Sequence, residues 1–320
     1  MRRMDCRYFG KPGFTLIELI VAMAVAGIVL AGAYEVFRAQ QRTYMAQDQV
    51  AEMQQNARAA MNLLTKDLRM VGHGVPDQWP LQIGEETFSE MVVIDGRTLT
   101  LVGCFGSPAS YLDASAARGD QKITVVDGSR FDSLDRRYLF VGEYDKVTVQ
   151  RVEGNVLILD QKLAKRYPTT CLRKAARAGD TQIRVYDASN IWAEDILTLG
   201  DERLFVTKSD RATNTIVLNS PLYFEYPRGM RVNPVPVYRV QIVKYYLKDN
   251  GTLTRQDFWA RGQVRELAEH IESLSVTKTD YGGYRVAITA RTALPDAAGR
   301  LRRRTYCLTV KVRNRARPGG

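Results

Sequence analysis

One carboxylate stands where a charge is expensive. Glu18 lies five residues into an apolar run that extends from Phe14 to Phe37. A charged side chain in a hydrocarbon-spanning helix costs at least a few kcal/mol, so a lone acid there is by default a functional position. The run begins abruptly: Met1 to Gly13 is polar and basic, and Phe14 follows Gly13 directly. A secretory signal has a shorter apolar core, about 7–15 residues, placed before its cleavage site. A plain anchor of about 20 apolar residues fits the length, but it gives no reason for Glu18 or for the Pro12-Gly13 border.

Elsewhere the residue types that could do chemistry are sparse. His73 and His270 are the two histidines, one in the stem terminator and one between Glu269 and Glu272, where a solvent-facing helix residue is expected. No G-x-S-x-G, H-E-x-x-H, paired C-x-x-C or P-loop pattern occurs. Asp195, Asp201 and Glu202 offer the oxygen ligands that calcium takes, yet their spacing is that of turn and surface carboxylates. Arg300, Arg302, Arg303 and Arg304 are the densest charge run. Contact with DNA or phospholipid headgroups is one use of it; a solvated hairpin tip that resists edge pairing is the expected one. Tyr167, Tyr223 and Tyr226 read as strand-packing aromatics before they read as a sugar-stacking surface. No enzyme, metal or cofactor is expected.

Lys11-Pro12-Gly13-Phe14-Thr15-Leu16-Ile17-Glu18-Leu19 resembles the processing site of type IV prepilins. The resemblance implies that a prepilin peptidase cuts between Gly13 and Phe14 and methylates the new Phe14 amine. It also implies that Glu18 meets the terminal amine of a neighbouring subunit, so Phe14 and Glu18 act together in assembly. The implied partners are other minor and major pilins through the stem, the peptidase, the inner-membrane assembly platform and the membrane itself, with no nucleic acid. The implied location is the bacterial inner membrane and then the pilus or pseudopilus.

Charge agrees with that orientation. Lys and Arg outnumber Asp and Glu by 46 to 35, a net +11, of which the segment before Phe14 carries +3. Basic residues just before a span keep that end cytoplasmic. Beyond the span stand Cys104, Cys171 and Cys307, in a compartment that permits disulfides. A Cys104–Cys171 bridge would bracket one module, and Cys104–Cys307 is the rival pairing.

These residues need a stem to carry them. No proline interrupts Phe14 to Val71, and Gly72, Gly74 and Pro76 then form a compact stop. At ~1.5 Å per residue such a rod measures about 87 Å, nearly three bilayer cores. Small residues recur four apart within the span, Ala22 with Ala26 and Gly27 with Ala31, a spacing that lets helices approach closely. From Met53 the apolar positions Met53, Ala57, Met61, Leu64, Leu68 and Val71 form one stripe, expected to bury against this chain's own globular part.

Beyond Pro76 the pattern is β-structure. Hairpins are read at Val92–Val102 around Asp95-Gly96, at Val240–Phe258 around Asn250-Gly251, and at Arg285–Val312 with an arginine-rich tip. Val264 to Leu274 is expected to be a short helix or an irregular crossing. Between the hairpins lies a duplication: Gly119-Asp120-x-x-Ile123-x-Val125-x-Asp127-x-Ser129 recurs 60 residues later as Gly179-Asp180-x-x-Ile183-x-Val185-x-Asp187-x-Ser189. Further on, Val147-Thr148, Asn155, Leu159 and Tyr167-Pro168 match Val206-Thr207, Asn214, Leu218 and Tyr226-Pro227 at an offset of 59.

Asn56-Ala57-Arg58 with Asp67-Leu68-Arg69, and the closing strands Val240–Leu247 and Leu308–Asn314, are similar to PilW-type minor pilins and to J-type pseudopilins of type II secretion. The expected fold is α+β and pilin-like: a long helical stem, membrane-spanning in its first half, on an antiparallel sheet domain with two tandem all-β modules inserted. The expected segments are 1–13 leader, 14–75 stem, 76–112 with 234–316 sheet domain, and 113–172 and 173–233 modules. The resemblance implies a minor pilin in type IV pilus initiation or a tip complex; the alternatives are a type II secretion pseudopilin and a tip adhesin that binds through the modules.

Overall fold

The computed structural model describes residues 15–76, 80–83, 86–131, 137–257, 263–296 and 299–312. Helix α1, Leu16–Met70, is unbroken over 55 residues, about 82 Å. It stops where Gly72 and Gly74 take positive φ, 73° and 67°. Two environments divide it. Residues 15–45 are exposed throughout. Met53, Ala57, Met61, Leu64 and Leu68 are buried as the stripe predicts, joined by Ala60, Thr65 and Asp67.

After the helix, β1 (Leu81–Ile83) and β2 (Glu86–Phe88) form a small hairpin, and β3 (Val92–Asp95) and β4 (Thr98–Gly103) form another. The repeated region follows. β5 (Ser110–Tyr111), β6 (Lys122–Thr124), β7 (Arg137–Val141), β8 (Asp145–Glu153) and β9 (Val156–Leu159) make five strands of a six-stranded sheet. A second six-stranded sheet is then built whole from β10 (Thr170–Cys171), β11 (Gln182–Arg184), β12 (Ile196–Leu199), β13 (Glu202–Asp210), β14 (Thr215–Leu218) and β15 (Arg231–Val232). Only afterwards does β16 (Pro236–Arg239) insert between β5 and β7 and complete the first.

The sheet orders are β5-β16-β7-β8-β9-β6 and β10-β15-β12-β13-β14-β11. Bridges from Leu112 to Val125 and from Leu172 to Val185 join the outer strands, so each sheet closes into a small barrel with no free edge. The second barrel is therefore nested inside the first rather than following it in tandem. The strands that close the first barrel, 110–111 and 236–239, lie outside the expected 113–172 segment. The ladders also correct the alignment of the copies. Val149 faces Leu159 and Val206 faces Leu218, so β8 matches β13 at an offset of 57, and the offset of 59 returns after a longer β13–β14 tip.

The remaining strands flank the stem. β17 (Gln241–Leu247), β18 (Leu253–Asp257) and β19 (Gln263–Ala268) join the earlier hairpin in a five-stranded antiparallel sheet, β19-β18-β17-β4-β3. β20 (Ile271–Lys278), β21 (Gly283–Arg291) and β22 (Arg303–Lys311) form a separate three-stranded sheet. Among the described residues the sheet domain thus has three sheets, the small β1–β2 pair included, where one was expected. The segment Val264 to Leu274 is neither a helix nor an irregular crossing but the end of β19, a turn at Glu269 and His270, and the start of β20; β19 completes the ladder that β18 would otherwise leave open. His270 is a turn residue at φ 58°, not a helical one.

The stem stripe packs with Leu99, Leu101, Val243, Tyr245, Val286, Ile288 and Val310 from the five-stranded and three-stranded sheets. One polar contact crosses this core. Asp67 Oδ2 accepts from the Tyr245 hydroxyl at 2.6 Å and from Arg255 Nε at 2.8 Å, with all three residues buried. Burial works against the Arg255 cation, but the Asp67 carboxylate outweighs it and raises its pKa; burial and the same carboxylate raise that of Tyr245. Arg255 also pairs with Asp257, so removing Asp67 leaves the cation one partner and costs up to the about 3–5 kcal/mol of a broken buried pair. Asp67→Ala should therefore lower the thermal midpoint of the detergent-solubilised chain far more than Tyr245→Phe, which forfeits one hydrogen bond, about 1–2 kcal/mol. Equal midpoints for Asp67→Ala and wild type, followed by near-ultraviolet circular dichroism, would show that the contact does not hold the stem.

Candidate functional site

The stem begins in a reciprocal cap. The Glu18 amide donates to Thr15 Oγ1 at 3.4 Å, while Glu18 Oε2 accepts from the Thr15 amide and the Thr15 hydroxyl, both at 2.9 Å. This capping box satisfies donors that the first helical turn leaves free. Both bonds to the carboxylate use Oε2; among the described residues none donates to Oε1. Glu18 therefore closes its own helix with one of its two carboxylate oxygens. The T-x-x-E spacing of Thr15 and Glu18 is the sequence signal for this cap. Gly13 and Phe14 lie outside the described residues. Ala22, Ala26, Gly27 and Ala31 are exposed on the same helix, and no atom lies within 4 Å of the space a Gly27 Cβ would fill. That surface is open to a second helix.

The barrels share one latch. In the first, the Tyr167 hydroxyl donates to Asp145 Oδ2 at 2.7 Å, and the same carboxylate accepts the Ala164 and Lys165 amides at 2.8 and 3.1 Å. In the second, the Tyr226 hydroxyl donates to Glu202 Oε1 at 2.8 Å, and Glu202 accepts the Tyr223 and Phe224 amides at 3.1 and 2.9 Å. Each tyrosine lies over a glycine of positive φ; a Cβ would sit 2.6 Å from Tyr167 at Gly142 and 2.9 Å from Tyr226 at Gly200. Tyr167 and Tyr226 are thus packing residues, as expected, whereas Tyr223 is 78% exposed and Phe224 61%.

Two of the three carboxylates weighed as oxygen ligands, Asp195 and Glu202, have other duties. Asp195 forms a two-bond pair with Arg166 at 3.0 and 2.6 Å, and Glu202 serves the latch; no acid-rich cluster with metal-ligand grouping occurs among the described residues. Arg166 ties the first barrel to the second and stacks 4.9 Å from the Trp192 ring. Arg231 returns the contact, donating to Leu112 O at 2.6 Å and to Asp113 Oδ1 at 3.2 Å. The two barrels are braced as one body.

Cys104, Cys171 and Cys307, the cysteines among the described residues, are free, so neither expected disulfide forms. Cys104 is buried with Val75, Val102 and Phe140 where the first barrel meets the five-stranded sheet, and burial pushes its thiol up to about 12. Cys171 is half-buried in the second barrel and Cys307 is exposed on β22, so the three occupy separate environments. Closure of each barrel by its own ladder leaves a bracketing bridge nothing to do. His73 lies edge-on to Phe140 at 5.0 Å in the same junction, and burial lowers its pKa. Of the arginine run, Arg300 and Arg302 lie in the loop before β22, whereas Arg303 and Arg304 are already in the strand, Arg303 paired with Glu272 at 2.8 Å.

A family model described as the prokaryotic N-terminal methylation motif matches residues 10–34. No curated protein and no solved structure matches the chain. The motif and the apolar N-terminal helix support a type IV pilin-like protein. They point to a structural pilin or pseudopilin in pilus or secretion assembly, anchored in a membrane, rather than to an enzyme.

Titration tests the latch. Burial alone would raise the Glu202 pKa, but hydrogen bonds from the Tyr223 amide, the Tyr226 hydroxyl and the Phe224 amide hold it below the usual carboxylate range. A lowered folded value contributes stability that is complete above the ordinary glutamate range and is lost as pH falls through the folded value. The Tyr223 and Phe224 amide resonances should therefore shift only below the ordinary glutamate range, and Glu202→Gln should abolish that titration. A shift at neutral pH, or one that persists in Glu202→Gln, would assign it to another group.

Proposed function

We propose that the chain is a minor pilin of the PilW type, active in initiation or at the tip of a type IV pilus. The observation that carries this reading is the division of α1. Its first thirty or so residues have no cover within the chain, while its last turns are fixed to the sheets through Asp67. The basic leader and the span hold the precursor in the inner membrane, with the sheets and barrels outside the cytoplasm. A prepilin peptidase cuts between Gly13 and Phe14 and methylates the freed amine. Glu18, whose Oε1 has no donor among the described residues, then pairs with the Phe14 amine of an adjacent stem, and each charge lowers the cost of the other in lipid. Small residues at 22, 26, 27 and 31 let stems approach. The braced barrels add bulk beside the sheet domain of every copy, which suits a low-abundance component alongside major pilins better than the polymer's bulk subunit.

The second barrel also supports an adhesin reading. Its latch is that of the first, yet it presents exposed Tyr223 and Phe224 where the first has Ala164 and Lys165. Replacing both aromatics with serine should leave fibres intact and reduce surface attachment if this barrel binds.

The assembly role is tested at Glu18. Glu18→Ala should be cleaved normally but recovered from sheared fibres at no more than about a tenth of the wild-type level, the loss of a charge pair worth at least ~1.4 kcal/mol. Glu18→Gln, which keeps a helix cap, should fail likewise. Wild-type incorporation of Glu18→Gln would assign the residue to capping alone.

A further inference from the structure

The loop between β21 and β22 packs beside the stem at its lower end. Thr292, Leu294, Pro295 and Arg302 share a groove of about 760 Å³ with Arg42, Met45 and Gln49 of the helix. The register of α1 converts that contact into a height. Phe37 ends the apolar run, and residues 42–49 stand about 8–18 Å further along the axis. The headgroup layer is about 5–8 Å deep on each side of the hydrocarbon, and the usual helix tilt brings a lateral loop closer still. Among the described parts of the sheets and barrels, this loop meets the stem nearest the apolar run.

Its chemistry suits that position. Leu294 is 58% exposed at the tip, and Arg300 and Arg302 are exposed on the returning limb. Below them the stem presents exposed Tyr34 and Phe37, with Arg38 stacked 5.8 Å from the Tyr34 ring, the aromatic and basic residues that mark a membrane interface. Arg42 is exposed one turn higher. The acids nearby are already engaged: Glu35 lies 4.0 Å from Arg38, and Asp296 lies 3.9 Å from Arg302 and accepts the Arg300 amide at 3.0 Å. Asp48 stands further from the apolar run. An exposed leucine flanked by arginines inserts its apolar part while the guanidinium groups reach phosphates.

We infer that this loop, through Leu294, Arg300 and Arg302, docks the globular part onto anionic phospholipid headgroups of the leaflet from which the stem emerges. The contact fixes the tilt and rotation of the chain before it enters a fibre, and extraction from the membrane breaks it. The inference rests on the membrane-spanning reading of residues 14–37.

The test uses the full chain in vesicles of phosphatidylcholine, with or without phosphatidylglycerol, carrying lipids brominated in the acyl chain near the headgroup. Tryptophan emission added by Leu294→Trp should be blue-shifted and quenched when phosphatidylglycerol is present. Both effects should vanish without it, at about 0.5 M salt, and in the Arg300→Glu, Arg302→Glu double variant. Emission insensitive to lipid charge would overturn the inference. So would a shift produced by a DNA duplex and not by phosphatidylglycerol, which would assign the arginines to nucleic acid. A chain that fails to float with either vesicle overturns the spanning reading, a result distinct from a chain that floats with an unquenched loop.

Discussion

A helix of this length cannot be satisfied by the chain that makes it. Burying apolar area yields roughly 25 cal/mol per Å², and α1 leaves Leu16, Ile17, Leu19, Ile20, Ile28, Val29 and Leu30 each more than half exposed. That surface must be taken from water by lipid or by other stems. The rest of the molecule can be understood from this requirement. The lower stem is chemically prepared for a foreign environment, with its only carboxylate before Glu35 placed at the capped end. The upper stem is prepared for the chain's own sheets.

The transition between the two is enforced at a few residues. Asp67 meets Tyr245 of one strand and Arg255 of its neighbour, so any rotation of the stem about its axis breaks a buried charge pair. A rod fixed in this way can transmit force from the membrane to the globular part without turning against it. The barrels are joined to the same body through the Phe140 and Cys104 junction and through β16, which runs into β17 with only Val240 between. Nesting the second barrel within the first ties it at both of its ends, a sturdier mounting than one flexible linker.

Much of this was readable from residue order. The stripe from Met53 to Leu68 predicted the buried face, because a 3.6-residue period has one geometric meaning. The Asn250-Gly251 turn and the repeat motifs likewise located strands. What escaped notice depends on partners distant in sequence. Asp67 looks like any helical acid until Arg255 is brought to it, and Val264 to Ala268 pairs as a strand only because β18 offers an edge. At β13 the copies pair two residues away from the register that the motifs suggest, since apolar alternation repeats every second residue and permits such a slip. The cysteines suggested a bridge because they bracket a repeat, yet closure by hydrogen bonds had already removed the need.

At the membrane end, everything turns on whether the apolar rod is presented to its surroundings with a free amine at Phe14. The direct measurement is mass spectrometry of the N-terminal peptide of the chain recovered from sheared surface fibres. The expected peptide begins at Phe14 and carries one added methyl group. Fibre-associated chain that still begins at Met1 would contradict processing, and with it the pairing of Glu18 to a neighbour's terminus.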